Sequence, residues 1–242
     1  VHFCDRSIVE ETFRGRRVAI VGSGPGVLDN EPGVVDGHDV VVRINNFKLS
    51  APAGHRTDVF YSFFGSSIRR ERRDMPDVRL CIAKCPDAKF IESAWHKVNG
   101  KPHGVDFRYI YQARKEWWFC PTYVPPVDEF LAVFVSLDHH VPTTGFSAIR
   151  TVLDCEPAEV FLTGFDFFTS GIHNVNERWK PGNPSDPIGH RPDMERRWLR
   201  ERLGSHPISM DRLARHSIMR EDPAAAPPRR LSTKRGREAA AT

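Results

Sequence analysis

The sequence predicts an α/β fold of Rossmann-like type: a mostly parallel sheet flanked by helices. Three observations carry that reading. Short continuous apolar runs recur along the chain, with the length and composition of buried parallel strands. The first of them opens straight into a glycine-rich turn, Gly22-Ser23-Gly24-Pro25-Gly26. Polar residues then stand where the later runs end. In an open α/β sheet ligands sit beyond the carboxyl ends of the strands, so these endings should share one crevice.

The elements follow in order. Residues 1–16 show no clear pattern and should simply lead into the first strand, Val18-Ala19-Ile20-Val21. Asp39 to Ile44 reads as the second strand and ends in Asn45-Asn46. Residues 58–64 read as a third, stopping at Gly65 and carrying Ser62 near its end, 78–83 as a fourth, and 107–111 as a weaker fifth. The arginine-rich stretch 66–77 is expected to be a solvated helix or loop. An aromatic cluster, Trp117, Trp118, Phe119 and Tyr123, is broken by prolines. It suits a core or lid loop, or an aromatic platform for an apolar sugar face.

The second half is more regular. Asp128 to Leu137 reads as a helix. Pro142-Thr143-Thr144-Gly145 begins another that should run to about Asp154, with Thr143 or Thr144 as its cap. The free amides of such a helix start favour an anion. Val160 to Thr163 reads as a strand that emerges at Gly164-Phe165-Asp166. The stretch from Ser170 to Gly189 is rich in Gly, Pro and Asn, holds His173, and has the length of a functional lid. Pro192 suits the first position of a helix reaching about Leu203, which puts His190 just before a helix N-terminus. The dipole there favours a neutral imidazole.

Composition bounds the rest. A chain of 242 residues is long enough for one well-buried α/β domain, expected over 1–222, with 223–242 a disordered basic tail. Beyond Pro228 lie five basic residues and one acid, Glu238, a net +4 that equals the charge of the whole chain. The body is therefore neutral, which argues against nucleic-acid binding. No apolar run approaches the ~18 residues of a membrane span, and no secretory signal is seen. The five scattered cysteines show neither zinc-site spacing nor a disulfide framework. A reducing, cytoplasmic setting is expected, and self-association is left open.

The glycine turn alone specifies only a phosphate-binding βα turn, because glycines let a backbone approach a phosphate. Val27 occupies the sixth position of a dinucleotide fingerprint, and Arg43, Asn45 and Asn46 stand where its acidic ribose ligand would be. The Gly-Lys-Ser/Thr ending of an ATP loop is absent too.

Taken in order, these pieces resemble the sialyltransferases. The first motif of the animal enzymes resembles Gly22-Ser23-Gly24, Gly37-His38-Asp39 and Arg43-Ile44-Asn45. Their second resembles Pro142-Thr143-Thr144-Gly145 through Gly164-Phe165, their histidine motif is matched loosely by His173, and His-x-x-x-x-Glu is met by His190 and Glu195. The bacterial lipooligosaccharide sialyltransferases are similar in Arg43-Ile44-Asn45-Asn46-Phe47, Gly164 to Phe168 and Ile188-Gly189-His190. The likeness spans roughly 17–205. It departs at Ser23, where the animal enzymes have Asn, and at Val18, so that Cys155 lacks the disulfide partner of its counterpart. The phosphate-binding tyrosines of the bacterial enzymes have no clear counterpart after Phe168.

The resemblance implies a variant GT-A-type glycosyltransferase. It would be inverting and independent of metal or any other cofactor, and would use a CMP-sugar donor with a glycan or small-molecule acceptor. His190 would be the base and His173 a phosphate contact. Gly22, Ser23, Gly24, Asn45, Ser62 and Asp166 would hold the donor, with Thr143, Thr144 and Gly145 on the sugar carboxylate. Glu195 is expected to orient the last helix rather than to do chemistry. The chain contains no Asp-x-Asp metal clamp. Three alternatives stay open: an NAD(P)-dependent oxidoreductase, a CMP-sugar hydrolase, and a non-catalytic nucleotide-sugar or glycan-binding module.

Overall fold

The computed structural model describes residues 3–65, 68, 70–88, 91–98, 101–105, 108, 120–169 and 190–220. Seven strands, all parallel, build its main sheet. They are β1 (Arg17–Val21), β2 (Val40–Ile44), β3 (Val59–Ser62), β4 (Leu80–Ala83), β7 (Thr122–Tyr123), β8 (Glu159–Thr163) and β9 (Ile208–Met210). The order across the sheet is β7-β4-β3-β2-β1-β8-β9. β5 (Ile91–Val98) and β6 (Lys101–Val105) form a separate antiparallel pair. Five α-helices accompany the strands among the described residues: α1 (Arg6–Phe13), α2 (Val127–Ser136), α3 (Thr144–Leu153), α4 (Pro192–Arg200) and α5 (Arg212–Met219). None is long and apolar enough to cross a membrane.

Side chains of β1 to β4 alternate between two packed faces, as the period of a strand requires. Val18, Ile20, Val40, Val42, Val59, Tyr61, Leu80 and Ile82 join α1 and α3 through Val9, Phe13, Phe146, Ile149 and Val152. On the opposite face Ala19, Val21 and Val41 meet Val27, Val35 and Ala53. Phe60, Cys81 and Ala83 meet Phe130 and Phe134 of α2 there. Burial on both faces explains why these strands read as continuous apolar runs.

Three expectations need correction. Residues 6–13 form α1, a whole helix that the sequence reading left as a lead-in. Only Val9 and Phe13 reach the core from it, one i,i+4 pair in a charged segment. The glycine turn after β1 passes into a single 3₁₀ helix, Pro25–Asp29, and not into an α-helix. An edge strand, β7, also forms within the proline-flanked aromatic stretch. Tyr123 is buried in it, while Trp117, Trp118 and Phe119 lie outside the described residues. Of the fifth strand expected at 107–111 only Arg108 is described, and it is helical; the lid-like stretch 170–189 with His173, and the tail, lie outside the described residues.

Topology fixes the crevice. From β1 the sheet steps through β2, β3, β4 and β7 on one side and β8, β9 on the other. The strand order therefore reverses between β1 and β8, the switch point at which open α/β sheets bind ligands. Val21 pairs with Thr163 and with Arg43, so these strands end nearly level.

Candidate active site

The β1 and β8 turns are locked to each other. Gly22 N–H donates to Thr163 O and Gly24 N–H to Gly164 O, both at 2.8 Å. A Cβ on Gly22 would fall 2.4 Å from the Gly164 carbonyl oxygen, and one on Gly24 2.7 Å from the same atom. Gly164 itself has φ +74°, a conformation that suits glycine. The glycines are thus required for two backbones to touch, and the amides of Gly22 and Gly24 are already committed. Ser23, half-buried, sits between them at the mouth of the switch point.

Two polar side chains that sequence reasoning missed hold this junction. Asp211 caps α5 through Ala214 N–H (2.7 Å), and its other oxygen takes Gly164 N–H (2.8 Å). An Asp directly before an amphipathic run is a readable cap signal. Asn30 donates from Nδ2 to Thr163 Oγ1 at 2.9 Å, tying the 3₁₀ turn to the end of β8; no local pattern points to it. Asp166 is buried beyond Gly164, and its Oδ1 accepts Phe168 N–H at 3.1 Å.

Asn45 and Ser62 meet at the ends of β2 and β3. Ser62 Oγ donates to Asn45 Oδ1 at 3.0 Å, and Phe63 N–H reaches the same oxygen at 3.3 Å. An amide N–H can only donate, so the side-chain amide is oriented with Oδ1 toward Phe63. Its Nδ2 makes no hydrogen bond among the described residues. Asn45 (φ 49°), Phe64 (φ 52°), Phe167 (φ 48°) and Phe168 (φ 62°) all adopt left-handed backbone. Such strain, just past the carboxyl ends of β2, β3 and β8, collects where ligands are held.

Arg43, beside Asn45 in sequence, serves the framework. It is fully buried and donates to the carbonyls of Arg56 and Ala53, both at 2.9 Å. Burial lowers its pKa to about 10, so the guanidinium stays charged and organises the 48–56 loop.

The third group is built around α3. Thr143 caps the helix by accepting Phe146 N–H at 3.1 Å. Its own donors face a carboxylate from α4: the N–H lies 2.6 Å from Glu195 Oε1 and the hydroxyl 2.8 Å from Oε2. Glu195 is fully buried, and burial pushes its carboxyl up to about 7 against the pull of these hydrogen bonds and of the Lys84 charge. Thr143 is therefore occupied by the protein's own carboxylate. The N–H groups of Thr144 and Gly145, the first two helical positions, make no hydrogen bond among the described residues. Gly145 also lets Phe165 lie against the helix start, where a Cβ would be 2.7 Å from the ring. This contact joins α3 to the end of β8.

His190 completes the group. Its Nδ1 lies 2.6 Å from Val141 O. A carbonyl only accepts, so Nδ1 carries a proton, and in the neutral form of the ring the lone pair is on Nε2. His190 and Glu195 thus grip one segment at two points, Val141 and Thr143, and the five-residue spacing between them reflects that double grip. Gly22, Gly24, Gly145 and Asp166 converge around Gly164 and Phe165, whereas Asn45 and Ser62 form their own pair at the ends of β2 and β3, the next two strands beyond β1.

No family model matches this sequence, and neither does any curated protein. Solved structures do. A mammalian sialyltransferase superposes with TM-score 0.53 at 18% identity, over 81% of this chain and 68% of that one. A mammalian sialyltransferase in complex with Gal-beta-1-3GalNAc-ortho-nitrophenol gives 0.51 at 18% identity, over 81% and 69%. The sialyltransferase CstII from Campylobacter jejuni, in complex with a substrate analogue, cytidine-5'-monophosphate, gives 0.51 at 13% identity, over 84% of both chains. The chain has the sialyltransferase fold. At these identities the likeness is one of architecture, and the side chains must speak for themselves. Within this sialyltransferase fold, the β1/β8 switch point, the start of α3 and His190 lie in one connected set of contacts.

Proposed function

We propose that this chain is an inverting, metal-independent glycosyltransferase that moves sialic acid or a similar ulosonic acid from a CMP-sugar to an acceptor hydroxyl. The observation that carries this reading is the His190–Val141 hydrogen bond, which fixes a proton on Nδ1, so that the neutral form of the ring has its lone pair on Nε2, on a residue tied to the segment leading into α3. His190 takes the acceptor proton as the acceptor oxygen attacks the anomeric carbon. The bond from that carbon to the phosphate oxygen breaks, and CMP leaves with the electron pair. Ser23 and Asn45 hold the nucleotide and phosphate, with Asp166 at the same mouth. The Thr144 and Gly145 amides take the sugar carboxylate, a role in which Thr143 takes part only by capping the helix. His173, on the stretch before His190, contacts the phosphate. A CMP leaving group carries less charge than a nucleoside diphosphate, so amides and polar side chains suffice without a metal. The fold shared with a CMP-bound sialyltransferase supports the choice of donor. One glycosyltransferase-like domain over 1–222 suffices for this chemistry.

The test is product analysis with CMP-sialic acid and CMP-Kdo, each with and without a panel of galactosides, in EDTA and in Mg²⁺. An acceptor-linked product formed equally well in EDTA is the expected result. Free sugar alone, whatever acceptor is added, would establish a hydrolase instead. Binding of CMP without turnover would leave a binding module.

A further inference from the structure

Two of the five cysteines, 39 residues apart in sequence, meet at the outer edge of the sheet. Cys81 lies in the middle of β4, fully buried, and Cys120 stands just before β7. Cys81 N–H donates to Pro121 O at 2.9 Å, and Cys81 pairs in register with Thr122, so the backbones are held side by side. The two sulfurs are 3.0 Å apart and share a hydrogen bond. That is about 1 Å from a disulfide bond length, a gap that small side-chain rotations can close.

We propose that Cys81 and Cys120 are a reversible dithiol/disulfide site, oxidised by a small-molecule disulfide of the glutathione class. The sequence spacing gave no hint of it, because the pair is created by β4 and β7 lying next to each other. The roles of the two sulfurs are unequal. The hydrogen bond with Cys120, together with burial, holds Cys81 well above the ordinary thiol range. The same hydrogen bond, helped by Arg72, pulls the less buried Cys120 below it. Cys120 is therefore the sulfur that ionises and attacks. Its thiolate displaces one thiolate from the small disulfide and forms a mixed disulfide. Cys81 then attacks the Cys120 sulfur, loses its proton, and expels the second thiolate. Two protein thiols are oxidised, one small disulfide is reduced to two thiols, and the protein S–S bond closes. The cross-link staples β7 to β4, two residues before the strand ends.

The test uses the whole chain equilibrated with oxidised glutathione, then mapped by non-reducing peptide mass spectrometry. The expected result is a Cys81–Cys120 linked peptide, loss of two titratable thiols, and a Tm increase of about 10 °C that dithiothreitol reverses, the scale of closing a loop of this length. Cys4 is the control: its N–H donates to Thr122 O, its charge acts on Cys81, and the Cys120 charge acts on it. Cys4→Ser should keep the cross-link, and Cys120→Ser should lose it. Five titratable thiols after oxidation, stable glutathionylation of Cys120 without closure, or a link from Cys4 in the wild-type chain would each overturn the assignment.

Discussion

Both hydrogen-bond donors of Thr143 end on the carboxylate of Glu195, the N–H at 2.6 Å and the hydroxyl at 2.8 Å. A helix start that would otherwise offer four free amides to a ligand is thereby partly filled by a side chain of the protein. The carboxylate sits with no exposure to solvent, and burial raises its pKa to about 7. Two consequences follow for the crevice. The start of α4, and His190 before it, are anchored to the start of α3. Among the described residues, the first α3 amides without a hydrogen-bond partner are then those of Thr144 and Gly145 rather than Thr143.

The Glu195 carboxyl makes stability depend on pH. Its folded pKa of about 7 lies above the ordinary 4.5, so the folded chain binds more protons than the unfolded one between those values. Stability therefore falls as pH rises through that window, by roughly 3 kcal/mol. Glu195→Gln mimics the protonated form, with Oε1 accepting Thr143 N–H and the amide donating to the hydroxyl. Urea denaturation from pH 4.5 to 8 should show the variant matching wild type at the acid end and exceeding it at the alkaline end. Parallel curves for the two proteins would mean that Glu195 is ionised throughout.

The glycine turn is constrained by backbone contact, so it should not tolerate a methyl group. Gly22→Ala places Cβ 2.4 Å from the Gly164 oxygen, a backbone atom that can move only by disturbing the β1–β8 ladder. A loss of about 2–3 kcal/mol is expected, the upper range of overpacking. Gly204 has open space around its missing Cβ, and Gly204→Ala should be near neutral. Urea midpoints of the two variants decide this: similar values would show that the turn yields easily.

Much of the sheet was legible because burial on both faces writes itself as unbroken apolar runs, as in Val40-Val41-Val42. The cap at Thr143 was legible for an equally local reason, a hydroxyl that precedes a helical run. What escaped depended on contacts between distant segments. Glu195 lies 52 residues from the Thr143 donors it binds, and no periodicity encodes that pairing. The glycines of the β1 turn were read as making room for a phosphate, and the sequence did not show that Gly22 and Gly24 also make room for Gly164, and Gly26 for Asp211. α1 escaped because two core residues in a charged octet give almost no pattern. β7, only two residues long, is fixed by pairing with β4 on one side and by the bridge to Phe3 on the other, contacts that no local pattern encodes.

Asn45 separates folding from nucleotide binding. Its Oδ1 serves the framework through Ser62 and Phe63, while Nδ2 is the atom left for a ligand. Asn45→Asp keeps the acceptor and the tolerance for left-handed backbone but removes the donor and adds a negative charge. The variant should stay folded and lose CMP affinity by about 10-fold or more, the scale of a lost hydrogen bond at a partly buried site. Titration calorimetry with CMP is the measurement. Unchanged affinity in a folded variant would place the nucleotide elsewhere along the sheet.

His190 divides an enzyme from a binding module. Its ring is held by Nδ1–H on Val141 O, and Nε2 is the nitrogen proposed as the base. General-base help of this kind is worth about 10²–10⁴-fold in rate. Removing the ring by His190→Ala deletes both the base and the brace on the 141–143 segment, so a fall in turnover from that variant alone would be ambiguous. His190→Asn retains an amide N–H that can reach Val141 O but has no second nitrogen. If His190 acts only as a brace, the Asn variant should restore most of the turnover that Ala loses. If Nε2 is the base, both variants should fall by the same factor, with CMP affinity nearly unchanged, because the loss then lies in the chemical step. The acid limb of the wild-type rate profile, where imidazole protonates, should also vanish from the residual activity of both variants. Turnover of His190→Asn within about threefold of wild type would remove Nε2 from the mechanism.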